Sequence, residues 1–122
     1  CEGVVVSNHG GRQCDSAPSS ISVLPSIVAA ISAKRGGKGI VLFDGGIRRG
    51  HDALKAIALG ADACLIGRAW AYGLGAMGEE GVEKAIRFLE AEMSATLALL
   101  GRANLAELGP DALDLERLRL PS

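Results

Sequence analysis

Gly39-Ile40-Val41-Leu42-Phe43-Asp44-Gly45-Gly46-Ile47-Arg48-Arg49-Gly50 decides the fold. Its first half is apolar without polar alternation, as a strand buried on both faces of a parallel sheet requires. Its second half is a glycine-rich loop. A helix follows, with Leu54, Ile57 and Ala58 on one face, and Gly60 is its expected stop. The unit is therefore strand, polar loop, helix.

The same unit recurs on both sides. Upstream, Gly3-Val4-Val5-Val6-Ser7-Asn8 is a β-branched strand, and a loop runs from His9 to about Ser20. Leu24, Ile27, Val28 and Ile31 then recur at helical spacing, with Pro25 placed in the first turn and Gly36-Gly37 at the end. Downstream, Ala63-Cys64-Leu65-Ile66 forms a third strand ending at Gly67-Arg68. A small-residue stretch covers Ala69 to Gly78. Val82, Ile86, Leu89, Met93, Leu97 and Leu100 then mark one stripe of a long helix. Glu79 and Glu80 near its start suit the positive end of the helix dipole. Residues 101–122 are expected to form a short helical tail ending in Pro121.

Alternating strands and helices imply an α/β fold with a parallel sheet and right-handed crossovers. Three strands cannot close a barrel, and a complete (β/α)8 barrel needs about 250 residues. The expected architecture is the last three βα units of a TIM (β/α)8 barrel plus C-terminal helices. Residues 1–122 would form the C-terminal part of one such domain. A small open α/β sheet is the alternative.

Composition excludes several classes. The 122 residues are 48% hydrophobic, which argues against disorder. A net charge of −1 excludes a general nucleic-acid binder. Cys1, Cys14 and Cys64 are odd in number and lack C-x-x-C spacing, which favours a reducing, cytoplasmic setting. Cys64 reads as a buried small hydrophobe. No apolar run approaches the roughly 20 residues of a membrane span. The chain opens directly with Cys1-Glu2-Gly3, so no signal peptide is expected, and the abrupt start predicts a preceding portion.

Polar residues gather after each strand, at the sheet edge where parallel folds bind ligands. Gly45 and Gly46 let backbone N–H groups approach an anion, and Arg48 and Arg68 can each offer paired donors to phosphate. Alone, either feature is also what a turn or a solvated arginine would show. Together, at matching strand ends, they favour phosphate binding. His9 follows the first strand, and its ordinary pKa near 6.5 suits proton abstraction. Arg12 can grip a carboxylate with two hydrogen bonds. As a lone pair, His9 and Arg12 read as a loop cap and a solvated arginine; the adjoining phosphate site reverses that reading. Asp15 has two open roles, orienting His9 or capping a helix. His51 reads as an exposed first-turn residue. Trp70 and Tyr72 read as packing residues, Met77 and Met93 as core or interface filling, and Arg49 as solvated.

Ser7-Asn8-His9-Gly10-Gly11-Arg12-Gln13 resembles the active-site signature of the FMN-dependent α-hydroxy-acid oxidase and dehydrogenase family. Asp44 through Gly50 resembles its flavin-phosphate loop. Ala58-Leu59-Gly60-Ala61-Asp62 with Ile66-Gly67-Arg68 resembles the segment supplying a second phosphate arginine. The likeness is collinear from Gly3 to about Leu100. It implies FMN as cofactor and oxidation of an L-2-hydroxy acid to a 2-oxo acid. It makes His9 the base and Arg12 the carboxylate ligand. Ser7 would contact the flavin, and Asp44, Gly45, Gly46, Ile47, Arg48, Gly67 and Arg68 would hold its phosphate. It also implies five absent strands, an inactive isolated segment and, as often in the family, a tetramer. Peripheral membrane association, as in some relatives, stays open. The competing readings are another FMN or phosphate-binding barrel enzyme, such as inosine-monophosphate dehydrogenase or isopentenyl-diphosphate isomerase, and a non-catalytic half-barrel.

Overall fold

Three short strands lie side by side in the order of the sequence, all parallel: β1 (Gly3–Val6), β2 (Ile40–Asp44) and β3 (Ala63–Leu65). The structure, a computed structural model, describes residues 2–35 and 39–116. Gly36-Gly37 and Pro121, read above as a helix stop and a chain end, lie outside the described residues. Val4 and Val6 sit opposite Val41 and Phe43 in the β1–β2 register. With α1 (Ser20–Arg35) and α2 (Gly50–Ala58) these side chains make the core, in which Leu24 and Phe43 are the largest fully buried residues. Each such side chain contributes roughly 1.5–3 kcal/mol of burial.

The other face of the sheet is open. Val5, Ile40 and Leu65 point there and are 52%, 53% and 43% exposed. Burial on both faces, expected from the unbroken apolar runs, is therefore met on one face only among the described residues. The runs encode two buried faces because a strand in a barrel wall turns one face to the helices and the other to the barrel interior. Three strands supply only the helix side.

Three local expectations change. Helix α1 begins at Ser20, so Pro25 falls in the second turn rather than the first. There it removes the bond that residue 25 would make to the Ile21 carbonyl. The small-residue stretch 69–78 is helical: α3 spans Arg68–Leu99 and is broken at Met77 and Gly78. Its small residues have a packing purpose. A Cβ on Gly73 would strike the Gly81 carbonyl, and one on Gly81 would strike Gly73, so the two arms of α3 touch backbone to backbone. Among the described residues the tail holds two single 3-10 turns, Leu105–Glu107 and Pro110–Ala112, with an Arg102–Asp111 ion pair beside them. At the far edge of the sheet, Asp62 clamps the start of β2. Its carboxylate accepts from Val41 N–H at 2.7 Å, and its own N–H donates to the Val41 carbonyl at 2.8 Å.

Candidate active site at the strand ends

Loop conformation at the end of β1 is set by glycine. His9, Gly10 and Gly11 all have positive φ, at 54°, 65° and 73°. Consecutive left-handed residues are costly for side chains with a Cβ, and Gly10 and Gly11 remove that cost. A Cβ at either glycine would meet nothing within 4 Å, so backbone conformation, not space, requires them. His9 is the one non-glycine residue so held among those described. Such strain persists only where neighbours over-determine it. Here Asn8 Oδ1 accepts from Gly10 N–H at 3.1 Å, Asn8 N–H donates to the buried Ser20 hydroxyl at 3.0 Å, and Ser7 Oγ accepts from His9 N–H at 3.0 Å.

The loop after β2 is held by carboxylates. Asp52 Oδ2 accepts from Arg48 N–H at 3.2 Å and Arg49 N–H at 3.0 Å, satisfying donors at the start of α2. Glu92, on the returning arm of α3, accepts from Gly50 N–H at 2.7 Å and from Arg49 Nε at 2.6 Å. The Gly50 hydrogen bond, then the Arg49 cation, hold the Glu92 carboxyl below its ordinary pKa. Arg49 is thus ion-paired rather than merely solvated, because the bend in α3 brings Glu92 to the N-terminus of α2.

These loops and both arms of α3 line one open cleft of about 810 Å³, within the usual size of a ligand pocket. His9, Arg12, Asp44, Gly45, Gly46, Ile47, Arg48, Gly67 and Arg68 all line it. Ser7 does not. Its hydroxyl instead donates to Asp44 Oδ2 at 2.5 Å, joining the first loop to the second. Ile47 is also part of the core and is 7% exposed. Among the described residues no carboxylate pairs with Arg12, Arg48 or Arg68. The two carboxylates on the cleft wall, Asp44 and Glu92, are already engaged. Three guanidiniums without a carboxylate partner, with glycine backbone beside them, could take up anions, and the donor set suits a phosphate and a carboxylate.

Other residues fall outside the expected roles. Tyr72, read as packing, is 73% exposed and lines the cleft. Met77 is half exposed, whereas Met93 packs against the core. His51 is partly exposed in the first turn of α2, near Asp52. Cys64 is partly buried and packs on the core, and burial pushes its thiol up to about 11. Sequence reasoning missed Asn8, Asp52 and Glu92 as organisers of the site. Asp52 carries a signal, an acidic residue in a first helical turn. Glu92 carries none, because its partners lie more than forty positions away.

Residues 1–115 match the FMN-dependent dehydrogenase family, and the chain belongs to it. Mouse 2-hydroxyacid oxidase 2 is 45% identical over 116 residues, 95% of this chain and 32% of that protein. L-lactate oxidase of a Nostoc strain is 48% identical over 92% of this chain and 30% of its own length. (S)-mandelate dehydrogenase of Pseudomonas putida is 49% identical over 94% of this chain and 28% of its own length. Among solved structures, a flavocytochrome b2 variant with pyruvate bound superposes with a TM-score of 0.89 at 43% identity, covering 99% of this chain and 32% of that one. The monotopic membrane protein (S)-mandelate dehydrogenase gives 0.83 at 48% identity, over 93% and 29%. The chain thus spans about a third of the length of the relatives it matches. These structural neighbours are TIM-barrel enzymes, and the three βα units match a piece of their wall. No described helix is long and apolar enough to cross a membrane.

Proposed function

We propose that this chain supplies the C-terminal part of an FMN site that oxidises an L-2-hydroxy acid to a 2-oxo acid. The observation that carries the reading is the convergence of His9 and Arg12 with Arg48 and Arg68 on one cleft. Two anion subsites and a base within one enclosure suit a substrate that has a carboxylate next to the reacting carbon, beside a phosphorylated cofactor.

In this reading Arg48 and Arg68, with the backbone at Gly45, Gly46 and Gly67, hold the FMN phosphate. Asp44 and Ile47 shape the loop between them. Bound FMN supplies the two-electron acceptor. Arg12 binds the substrate carboxylate and so fixes which face of the 2-carbon meets the flavin. His9 takes the substrate proton through its imidazole, presented to the cleft by the left-handed turn. Ser7 reaches Asp44, so its contribution to the flavin site runs through loop placement as well as any direct contact.

A preceding segment of the same barrel completes the enclosure. The open face at Val5, Ile40 and Leu65 and the one-third coverage of the relatives support this. A homo-oligomer, tetrameric by resemblance, belongs to the same reading. A cytoplasmic location rests on the cysteine pattern, since relatives include a peroxisomal oxidase and a monotopic membrane protein.

The test is anaerobic bleaching of the flavin absorbance by a panel of L-2-hydroxy acids, run on the full-length protein. Bleaching by at least one acid, lost in His9→Gln while bound FMN is retained, is the expected result. Flavin that no hydroxy acid reduces would favour a phosphate-binding barrel of another class.

A further inference from the structure

We propose that Glu92 is a positioning residue for the anion-binding loop, deciding which of two adjacent arginines serves the phosphate. The inference rests on the FMN reading above and adds a residue of α3 to its machinery.

The loop Arg48-Arg49-Gly50 is gripped from two sides. Asp52 takes the N–H groups of Arg48 and Arg49. Glu92 takes the N–H of Gly50 and the Nε of Arg49. All three consecutive backbone donors are therefore spent inside the protein. An anion in the cleft must be met by the Arg48 and Arg68 side chains and by backbone elsewhere. Glu92 also neutralises Arg49, which lines the same cleft. Of the two neighbouring guanidiniums, only that of Arg48 is left without a carboxylate.

The seat is built for close contact. Gly50 is buried, and a Cβ there would lie 2.5 Å from the Leu89 carbonyl oxygen, 2.6 Å from Met93 N and 2.7 Å from Glu92 Cβ. The backbone of α3 thus rests directly on the start of α2, and the Glu92 carboxylate closes that contact. Without it, the loop loses its outer anchor and Arg49 becomes a rival cation beside Arg48.

The test compares FMN with riboflavin, which lacks the phosphate. Both are titrated by flavin fluorescence quenching into the full-length apoprotein and its Glu92→Ala variant. Losing a charged hydrogen-bond acceptor should raise the FMN dissociation constant about tenfold. Riboflavin affinity should stay within about twofold, since it never meets the loop. The Glu92 effect should also shrink when Arg48→Ala is already present, because both then act on one interaction. Glu92→Gln keeps a neutral acceptor for Gly50 and serves where Glu92→Ala does not fold. Its expected FMN-selective loss is about threefold. Equal weakening of FMN and riboflavin would make Glu92 a general structural residue and overturn the proposal. So would unchanged FMN affinity in a folded variant of either kind. A wild-type protein with no preference for FMN over riboflavin would instead overturn the phosphate reading itself, and this role with it.

Discussion

Two neighbouring loops line the cleft, and they are held by different means. The loop after β1 carries His9 and Arg12. It depends mainly on hydroxyl and amide contacts from Ser7, Asn8 and Ser20, with one link from Ser7 to the Asp44 carboxylate, and on left-handed backbone that two glycines allow. The loop after β2 carries Arg48. It is anchored by two carboxylates, one from its own helix and one from α3. The difference matches the tasks proposed for them. A base must present one imidazole at a defined angle, which a strained turn can do. A phosphate site must hold concentrated positive charge in place, and that calls for charged anchors behind it.

The largest effect should come from the first loop. His9→Gln should lower kcat for hydroxy-acid oxidation by about 10²–10⁴-fold, the usual worth of a general base. Flavin content, read by absorbance, should hold. Coupled loss of flavin would show that the two loops are not separable in function. In the other two strand-end loops, Arg68→Ala or Arg48→Ala should weaken FMN by roughly 10–100-fold, as loss of a charged hydrogen bond predicts. Isothermal titration of the apoprotein measures it. The KM for hydroxy acid should change little once FMN is saturating.

Glycine substitutions sharpen the contrast in stability. Gly50→Ala should cost about 1–3 kcal/mol by overpacking, because its seat against α3 is filled. Gly11→Ala should cost about 1–2 kcal/mol by backbone strain alone, because the space around it is empty. Urea unfolding gives both values. A crystal structure of Gly50→Ala should show the second loop displaced from α3, whereas Gly11→Ala should leave it unmoved.

The smallest effect is acid sensitivity. Glu92 is more acidic in the folded chain than its ordinary value of 4.5. Its contribution is therefore present above that value and is lost as pH falls through the lowered folded value. The stability gap between wild type and Glu92→Gln should be constant near neutrality and close progressively below pH 4.5. Circular dichroism at a series of pH values checks this. A gap that widens in acid would contradict the depressed carboxyl.

Much of the architecture was legible in the residues. Val41 and Phe43 read as strand because no polar residue interrupts them, and Gly60 read as a helix stop, where it takes a φ of 103°. The apolar stripe from Val82 to Leu100 read as helix, and the helix runs to Leu99, but the arm before it did not read so. Glycine and alanine between Ala69 and Gly78 look like loop in a window of sequence. They are helix because Gly73 and Gly81 let two backbones meet, a long-range contact no local pattern records. Likewise Arg49 reads as solvated until α3 returns with Glu92, and Tyr72 reads as packing until the cleft forms beside it.

By itself the sequence determined the repeating strand-loop-helix units, the parallel sheet they imply, and the chemical character of each strand-end loop. These are local properties, carried by hydrophobic period, glycine placement and residue type within a dozen positions. Only the tertiary structure decided that Ser7 reaches Asp44, that Glu92 closes on Gly50, and that Tyr72 joins His9, Arg48 and Arg68 on one cleft. Those outcomes depend on how separate units pack and where α3 bends. Packing is a sum over contacts distant in the chain, which no short stretch of residues contains.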